Sequence, residues 1–187
     1  MGVGPSPEGT HNVFFAVQPP EGVRSLLCRF RDNLCRVHAL KGRPVPRECL
    51  HISLHALGLH PGLPTEEVER AVEAAASLRA APFDVSLNRV LSWKGDPGRR
   101  PLVLLGDEGV VGIDRLRGTL HTALADAFLT LRGHKDSDPH LTLLRGDHDL
   151  PETIVPEIRW TVREFVLIDS RVGEGRYDIL GRWPLTV

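Results

Sequence analysis

Asp138-Pro-His-Leu-Thr-Leu-Leu-Arg145 and its upstream echo, Cys49-Leu-His-Ile-Ser-Leu-His55, are the two stretches from which the fold follows. In an extended strand successive side chains point to opposite faces, so His140 and Thr142 face one way while Leu141 and Leu143 face the other. His51 and Ser53 stand in the same relation to Ile52 and Leu54. Each stretch therefore predicts a strand with an imidazole and a hydroxyl on one face and an apolar face behind them. If the two strands lie near each other, four side chains converge on one spot.

The chain has 9 His and 17 Ser and Thr among 187 residues, so one His with a hydroxyl two places on is expected by chance about once. Requiring an apolar residue between the two and another just after lowers the expectation to roughly 0.1 per chain. Two such copies occur, His51-Ile-Ser-Leu54 and His140-Leu-Thr-Leu143. With this pair the sequence resembles the two-histidine phosphoesterases, whose hallmark is two H-x-[ST]-φ tetrapeptides, φ being apolar. Asn12-Val-Phe-Phe-Ala-Val-Gln-Pro-Pro20 looks like the family's opening strand and Pro82-Phe-Asp-Val-Ser-Leu87 like a middle one. Phe165-Val-Leu-Ile-Asp-Ser-Arg171, Tyr177 and Arg182-Trp-Pro-Leu185 look like its closing hairpin. The resemblance spans nearly the whole chain and is strongest to the bacterial and archaeal RNA 2′,3′-cyclic phosphodiesterases, formerly called 2′-5′ RNA ligases. Ser53 stands where that branch usually carries Thr, which keeps the hydroxyl and loses a methyl.

In-line displacement at phosphorus needs a base for the attacking water and an acid for the departing oxygen. Imidazole suits both roles because its pKa lies near neutrality. Ser53 and Thr142 are placed to hydrogen-bond the non-bridging phosphate oxygens. The symmetry of the motifs leaves the two histidine roles open. The resemblance implies His51 as proton donor to the leaving O3′, His140 as proton acceptor from water, and Arg145 on the substrate phosphate. Strand parity puts Arg145 on the face opposite His140, a conflict that disappears only if the strand bulges or ends near Leu144. With no H-E-x-x-H, no C-x-x-C and no carboxylate cluster in the sequence, the site reads as metal-free, and no cofactor is expected. The resemblance further implies hydrolysis of a terminal 2′,3′-cyclic phosphate to a 2′-phosphate. With an RNA 5′-hydroxyl in place of water, the same displacement leaves a 2′-5′ linkage.

Composition bounds the other possibilities. A length of 187 residues fits one domain, read as a loose tail over residues 1–10 and a single two-lobed domain over 11–187. No apolar run approaches the ~20 residues of a membrane span, and Met1–Pro7 has neither a basic region nor an apolar core, so a soluble, cytoplasmic chain is expected. Cys28, Cys35 and Cys49 are odd in number and read as reduced packing residues. A net charge of −1 argues against a protein that coats nucleic acid through bulk electrostatics. The cations are 20 Arg against 3 Lys, for which GC-rich codon usage is the plainer explanation than phosphate recognition.

In chain order, the patterns predict a strand over Asn12–Val17 and an amphipathic helix from Gly22 to about Ala39. The first histidine strand follows, then a loop over Gly58–Pro64 containing His60, and a helix opening at Thr65-Glu66-Glu67 with a capping hydroxyl. Strands over Phe83–Trp93 and Leu102–Leu105 come next, and then a helical stripe from Ile113 through Phe128 and Leu131, stopped by Gly133. After the second histidine strand come a loop over Gly146–Pro156 and a hairpin of Thr161–Ser170 with Arg176–Trp183. Strands outnumber helices without strict alternation, which favours α+β with antiparallel sheets. The resemblance implies a bilobal form of that class: two antiparallel sheets facing across a cleft, flanked by helices, with one histidine from each lobe. By parity His55 shares the face of His51 and Ser53. His11, His38, His121, His134 and His148 read as surface or packing residues, and Phe15, Trp93, Tyr177 and Trp183 as core aromatics able in principle to stack a base.

The expected partner is RNA ending in a 2′,3′-cyclic phosphate or a cyclic nucleotide, with no obligatory protein partner. Two other readings compete: a phosphodiesterase of small cyclic nucleotides, ADP-ribose cyclic phosphate or 2′-5′ oligoadenylate, and a non-catalytic nucleotide-binding module. The second is disfavoured because both histidines, both hydroxyls and the arginine are all present.

Overall fold

The computed structural model describes residues 9–96, 98–129 and 138–186. The strands are β1 (His11–Val17), β2 (Arg43–Pro44), β3 (Ile52–His60), β4 (Phe83–Ser92), β5 (Arg100–Leu105), β6 (His140–Gly146), β7 (Thr153–Val162), β8 (Glu164–Arg171) and β9 (Arg176–Pro184). The helices are α1 (Glu21–Val37), α2 (Thr65–Ser77) and α3 (Val111–Asp126). Every strand pairing is antiparallel, so the class is the α+β expected.

The strands form the order β7-β4-β5-β6-β3-β1-β8-β9, with β2 on β6. The two expected sheets are the two halves of this array, joined between β6 and β3 by the single pair Ile52↔Leu141. Those residues are the middle positions of the two histidine tetrapeptides, so the junction falls between the motifs. Past that pair the strands part, and the edge of β6 that β3 leaves is taken by β2, which pairs Arg43 with Arg145 and Pro44 with Leu144.

One face of the array carries the main core. Val13, Phe15, Val17, Leu54, Leu57, Leu102, Leu104, Leu141 and Leu143 pack there with Leu27 of α1, Ala71 of α2 and Ile113 of α3. The helices reach across the junction: α1 touches β6, and α3 touches β3. The opposite face of the first half holds a smaller cluster, Phe14, Ala16, Val166 and Ile168, against which Ala56, Tyr177 and Ile179 pack.

Several boundaries differ from expectation for identifiable reasons. β3 runs on to His60, because it pairs along the whole of β1, and Gly58 lies inside the strand rather than in a loop. Thr65 is the first helical residue and not a cap; its hydroxyl donates to the Leu63 carbonyl, while Glu66 and Glu67 do occupy the first turn. α3 ends at Asp126, and Phe128, 89% exposed, takes a left-handed φ of 55° just beyond it instead of joining the buried stripe. The continuation to Leu131 and the stop at Gly133 lie outside the described residues, as does His134.

The expected strand Thr161–Ser170 is two strands, and the loop expected over Gly146–Pro156 already contains the start of β7. Pro156 disguised that strand. It is tolerated because β7 is an edge strand and because the register with β4 slips between Leu87 and Arg89, opposite the proline. Residues 1–8 of the expected loose tail lie outside the described residues, and Thr10 is not loose: it is buried, and its carbonyl accepts from the Val172 N–H.

Candidate active site

Both motif strands bulge immediately after the hydroxyl. In β3, Ser53 pairs with Ala16 and His55 with Phe15, leaving Leu54 as the extra residue. In β6, Thr142 pairs with Val103 and Leu144 with Leu102, leaving Leu143 extra. A bulge reverses the alternation beyond it. Leu143 and Leu144 are therefore buried in succession, and Arg145, paired with Pro101, returns to the face of Thr142 and His140. The parity conflict over Arg145 is resolved by that bulge.

The matching bulge in β3 has the opposite effect on His55, which parity put on the face of His51. Paired with Phe15, it points into the helix side, is 7% exposed, and donates from Nε2 to the Arg117 carbonyl of α3 at 2.9 Å. Ala56 takes the place on the outer face, opposite Phe14. Arg117 returns the contact, its guanidinium donating to the Ser53 carbonyl at 2.7 Å from Nη2 and 3.3 Å from Nε. The helix thus holds the backbone of the motif from behind, a role that nothing in the sequence marked.

The two histidines are held alike. His51 Nδ1 lies 2.7 Å from the carbonyl of Cys49, and His140 Nδ1 lies 2.9 Å from the carbonyl of Asp138, in each case two residues upstream. A carbonyl only accepts, so each Nδ1 carries hydrogen, and the neutral ring keeps its basic lone pair on Nε2. Both rings are half-buried, as are Ser53 and Thr142, and Arg145 is exposed.

Aromatic side chains wall both histidines. The Phe14 and Tyr177 rings lie 5.0 and 5.5 Å from His51, with the Tyr177 hydroxyl 3.4 Å from Nδ1, and Trp93 lies 4.2 Å from His140. Of these the sequence reading placed Tyr177 and Trp93 among core aromatics and did not weigh Phe14. The available signal was the parity of β1, which sets Phe14 opposite in face to Phe15.

Burial brings the His51 pKa down to about 4, against the Cys49 hydrogen bond, which favours the charged ring; the nearby charges of His140 and Arg145 push the same way as burial. Burial also pushes the Tyr177 phenol up, with Arg145 opposing, and raises the Cys49 thiol to about 11, with Glu48 adding to the effect. Cys49 is therefore a neutral thiol, 3.6 Å from the Gly175 carbonyl in the β8–β9 turn. Among the described residues no three His, Cys, Asp or Glu side chains are grouped to hold a metal ion, and no helix is long and apolar enough to cross a membrane.

An antiparallel array whose two inner strands each present a histidine and a hydroxyl on one face is the architecture of a two-histidine phosphoesterase. A sequence model of the 2′-5′ RNA ligase superfamily matches residues 8–174, and the chain belongs to that superfamily. Among solved structures, apo Escherichia coli LigT is 26% identical over 96% of this chain and 99% of its own, with a TM-score of 0.74. The same protein complexed with ATP gives 0.76 at 26% identity, covering 95% of this chain and 99% of that one. TT0787 of Thermus thermophilus, at 24% identity and a TM-score of 0.74 over 93% of this chain and 97% of its own, shares the fold. Among curated protein sequences none matches significantly. The membership makes the protein an enzyme of the phosphoesterase and ligase type, with RNA or nucleotides as the substrate class.

Proposed function

We propose that the protein hydrolyses RNA 2′,3′-cyclic phosphate ends to 2′-phosphates without a metal ion, by paired histidine acid–base catalysis. The observation that carries this reading is the mirrored pair of Nδ1–H bonds to upstream carbonyls, which leaves each neutral imidazole with its lone pair on Nε2. His140 Nε2 takes a proton from water as its oxygen bonds to phosphorus. His51, charged as the imidazolium once the substrate phosphate is bound, gives its Nε2 proton to O3′ as the P–O3′ bond breaks. The phosphate remains on O2′. Ser53 and Thr142 donate hydrogen bonds to the non-bridging oxygens, and Arg145 offsets the charge those oxygens gain. Each proton transfer is typically worth ~10²–10⁴ in rate. With a 5′-hydroxyl in place of water, the same site seals a 2′-5′ linkage.

The test is hydrolysis of an oligoribonucleotide ending in a 2′,3′-cyclic phosphate by purified protein in EDTA, with the product phosphate located by NMR. A 2′-phosphate is expected. Turnover that depends on added metal, or a 3′-phosphate product, overturns the mechanism.

A further inference from the structure

A groove of about 660 Å³ opens beside His51, bounded by Cys49 and Tyr177, both of which contact the ring. Its other walls come from both halves of the array: Arg43 to Pro46 around β2, Arg145 of β6, Gly98 and Arg99 of the β4–β5 turn, and residues 170–173 with Gly175 around the β8–β9 turn. Among the described residues four arginines line it and no carboxylate does. Arg171 is answered by Asp178 at 3.4 Å and Glu174 at 3.9 Å. Arg43, Arg99 and Arg145 are all exposed, and among the described residues none of them has an ion-pair partner.

In a chain of net charge −1, three guanidinium groups without ion pairs gather on one groove, whereas ten of the sixteen other described arginines are ion-paired. The backbone fixes two of them. β2 sets Arg43 directly across from Arg145, and the approach is so close that a Cβ on Gly42 would lie 2.6 Å from the Arg145 carbonyl, and one on Gly146 2.3 Å from the Lys41 carbonyl. A second depression, of about 710 Å³, lies between α2 and α3 and touches no motif residue.

We infer that the groove binds the phosphodiester backbone of the strand leading to the cyclic phosphate, so that the substrate is an oligonucleotide rather than a mononucleotide. The inference rests on the proposed function, which places the ribose and its leaving O3′ on the His51 side and water on the His140 side. The 5′-phosphate of that ribose, and the nucleotides before it, then extend past Tyr177 into the groove. Arg43 and Arg99 contact backbone phosphates as forked donors, while Arg145 serves the reacting phosphate and its neighbour.

The deciding experiment compares the wild type with the Arg43→Gln/Arg99→Gln variant on two readouts. In the first, the ratio of kcat/KM for a cyclic-phosphate-ended pentaribonucleotide to that for 2′,3′-cyclic AMP is expected to exceed tenfold in the wild type and to collapse towards one in the variant. In the second, fluorescence anisotropy follows a labelled pentaribonucleotide ending in 2′-phosphate, with no turnover required. At about 0.7 in the log–log salt slope per phosphate contact, raising salt from about 50 to 200 mM weakens wild-type binding about 20-fold and variant binding about threefold. Equal salt slopes overturn the groove even if both substrates are hydrolysed. Hydrolysis of neither substrate sinks the proposed reaction instead, and the anisotropy slopes still decide the groove.

Discussion

Burial lowers the His51 pKa to about 4 in the free protein, and at that value about one molecule in 10³ carries a proton on the ring at pH 7. Against an ordinary imidazole value of 6.5, that corresponds to about 3 kcal/mol in favour of the neutral form. A proton donor in that state is nearly empty, so the substrate has to restore the proton. A phosphate charge about 4 Å from the ring contributes about 4 kcal/mol at an effective dielectric of ~20, equivalent to about three pKa units. The bound complex then holds His51 near pH 7, where it can donate. Imidazole NMR titration of the free protein, repeated with saturating 2′-AMP, measures both values directly. Tyr177→Ala, which opens the ring to water, is expected to raise the free-protein value towards 6.5, since burial is the largest cause of the depression. A wild-type value near 6.5 refutes the burial argument. A value that stays near 4 with 2′-AMP bound removes His51 as the donor at neutral pH.

The same titration has a stability consequence, and its sign follows from proton counting. Between pH 6.5 and 4 the unfolded chain binds a proton at His51 that the folded chain does not, so stability falls as pH drops through that window and is unaffected by this group above about pH 7. At pH 4.5 the wild type should have lost about 2–3 kcal/mol more than His51→Gln, relative to pH 7, in urea unfolding. Equal losses refute it.

Three further outcomes are expected. His51→Ala and His140→Ala each lose ~10²–10⁴ in kcat on the cyclic-phosphate oligonucleotide while keeping wild-type circular dichroism, and near-normal turnover in either overturns its role. Arg117→Leu removes both donors to the Ser53 carbonyl and costs about 1–3 kcal/mol in urea unfolding, because a backbone acceptor behind the motif is left unmet. Gly146→Ala drives a Cβ into the Lys41 carbonyl and the Gly42 Cα, at 2.3 and 2.5 Å; since backbone cannot swing aside as a side chain does, β2 has to shift, costing about 1–3 kcal/mol and displacing Arg43 from Arg145.

What the sequence disclosed and what it hid divide along a physical line. The faces of His51, Ser53, His140 and Thr142 were readable because strand alternation is local and both tetrapeptides lie before any irregularity. His55 and Arg145 lie after one, and parity failed for both. A bulge inserts a residue into one strand against its partner, so its position depends on the partner's register as much as on the bulged segment. Leu143-Leu144, two apolar residues in succession, is the trace it left in β6; Leu54-His55 left a weaker one because histidine passes for a surface residue. The orienting carbonyls of Cys49 and Asp138 left none, since any residue supplies a carbonyl.

How the two halves meet was less legible still. Hairpin register is set by the turn between its strands, but no turn joins β3 to β6, and a single pair, Ile52↔Leu141, links them. One pair cannot by itself fix the distance between His51 and His140. That constraint falls on packing across the junction: α1, which follows β1 in the first half, leans on β6 of the second, and α3, which precedes β6, leans on β3. The Arg117 guanidinium on the Ser53 carbonyl and the His55 ring on the Arg117 carbonyl pin α3 to the motif strand by hydrogen bonds that run in opposite directions. His55 therefore serves the site by facing away from it, setting the height of the first motif against the helix that leads into the second.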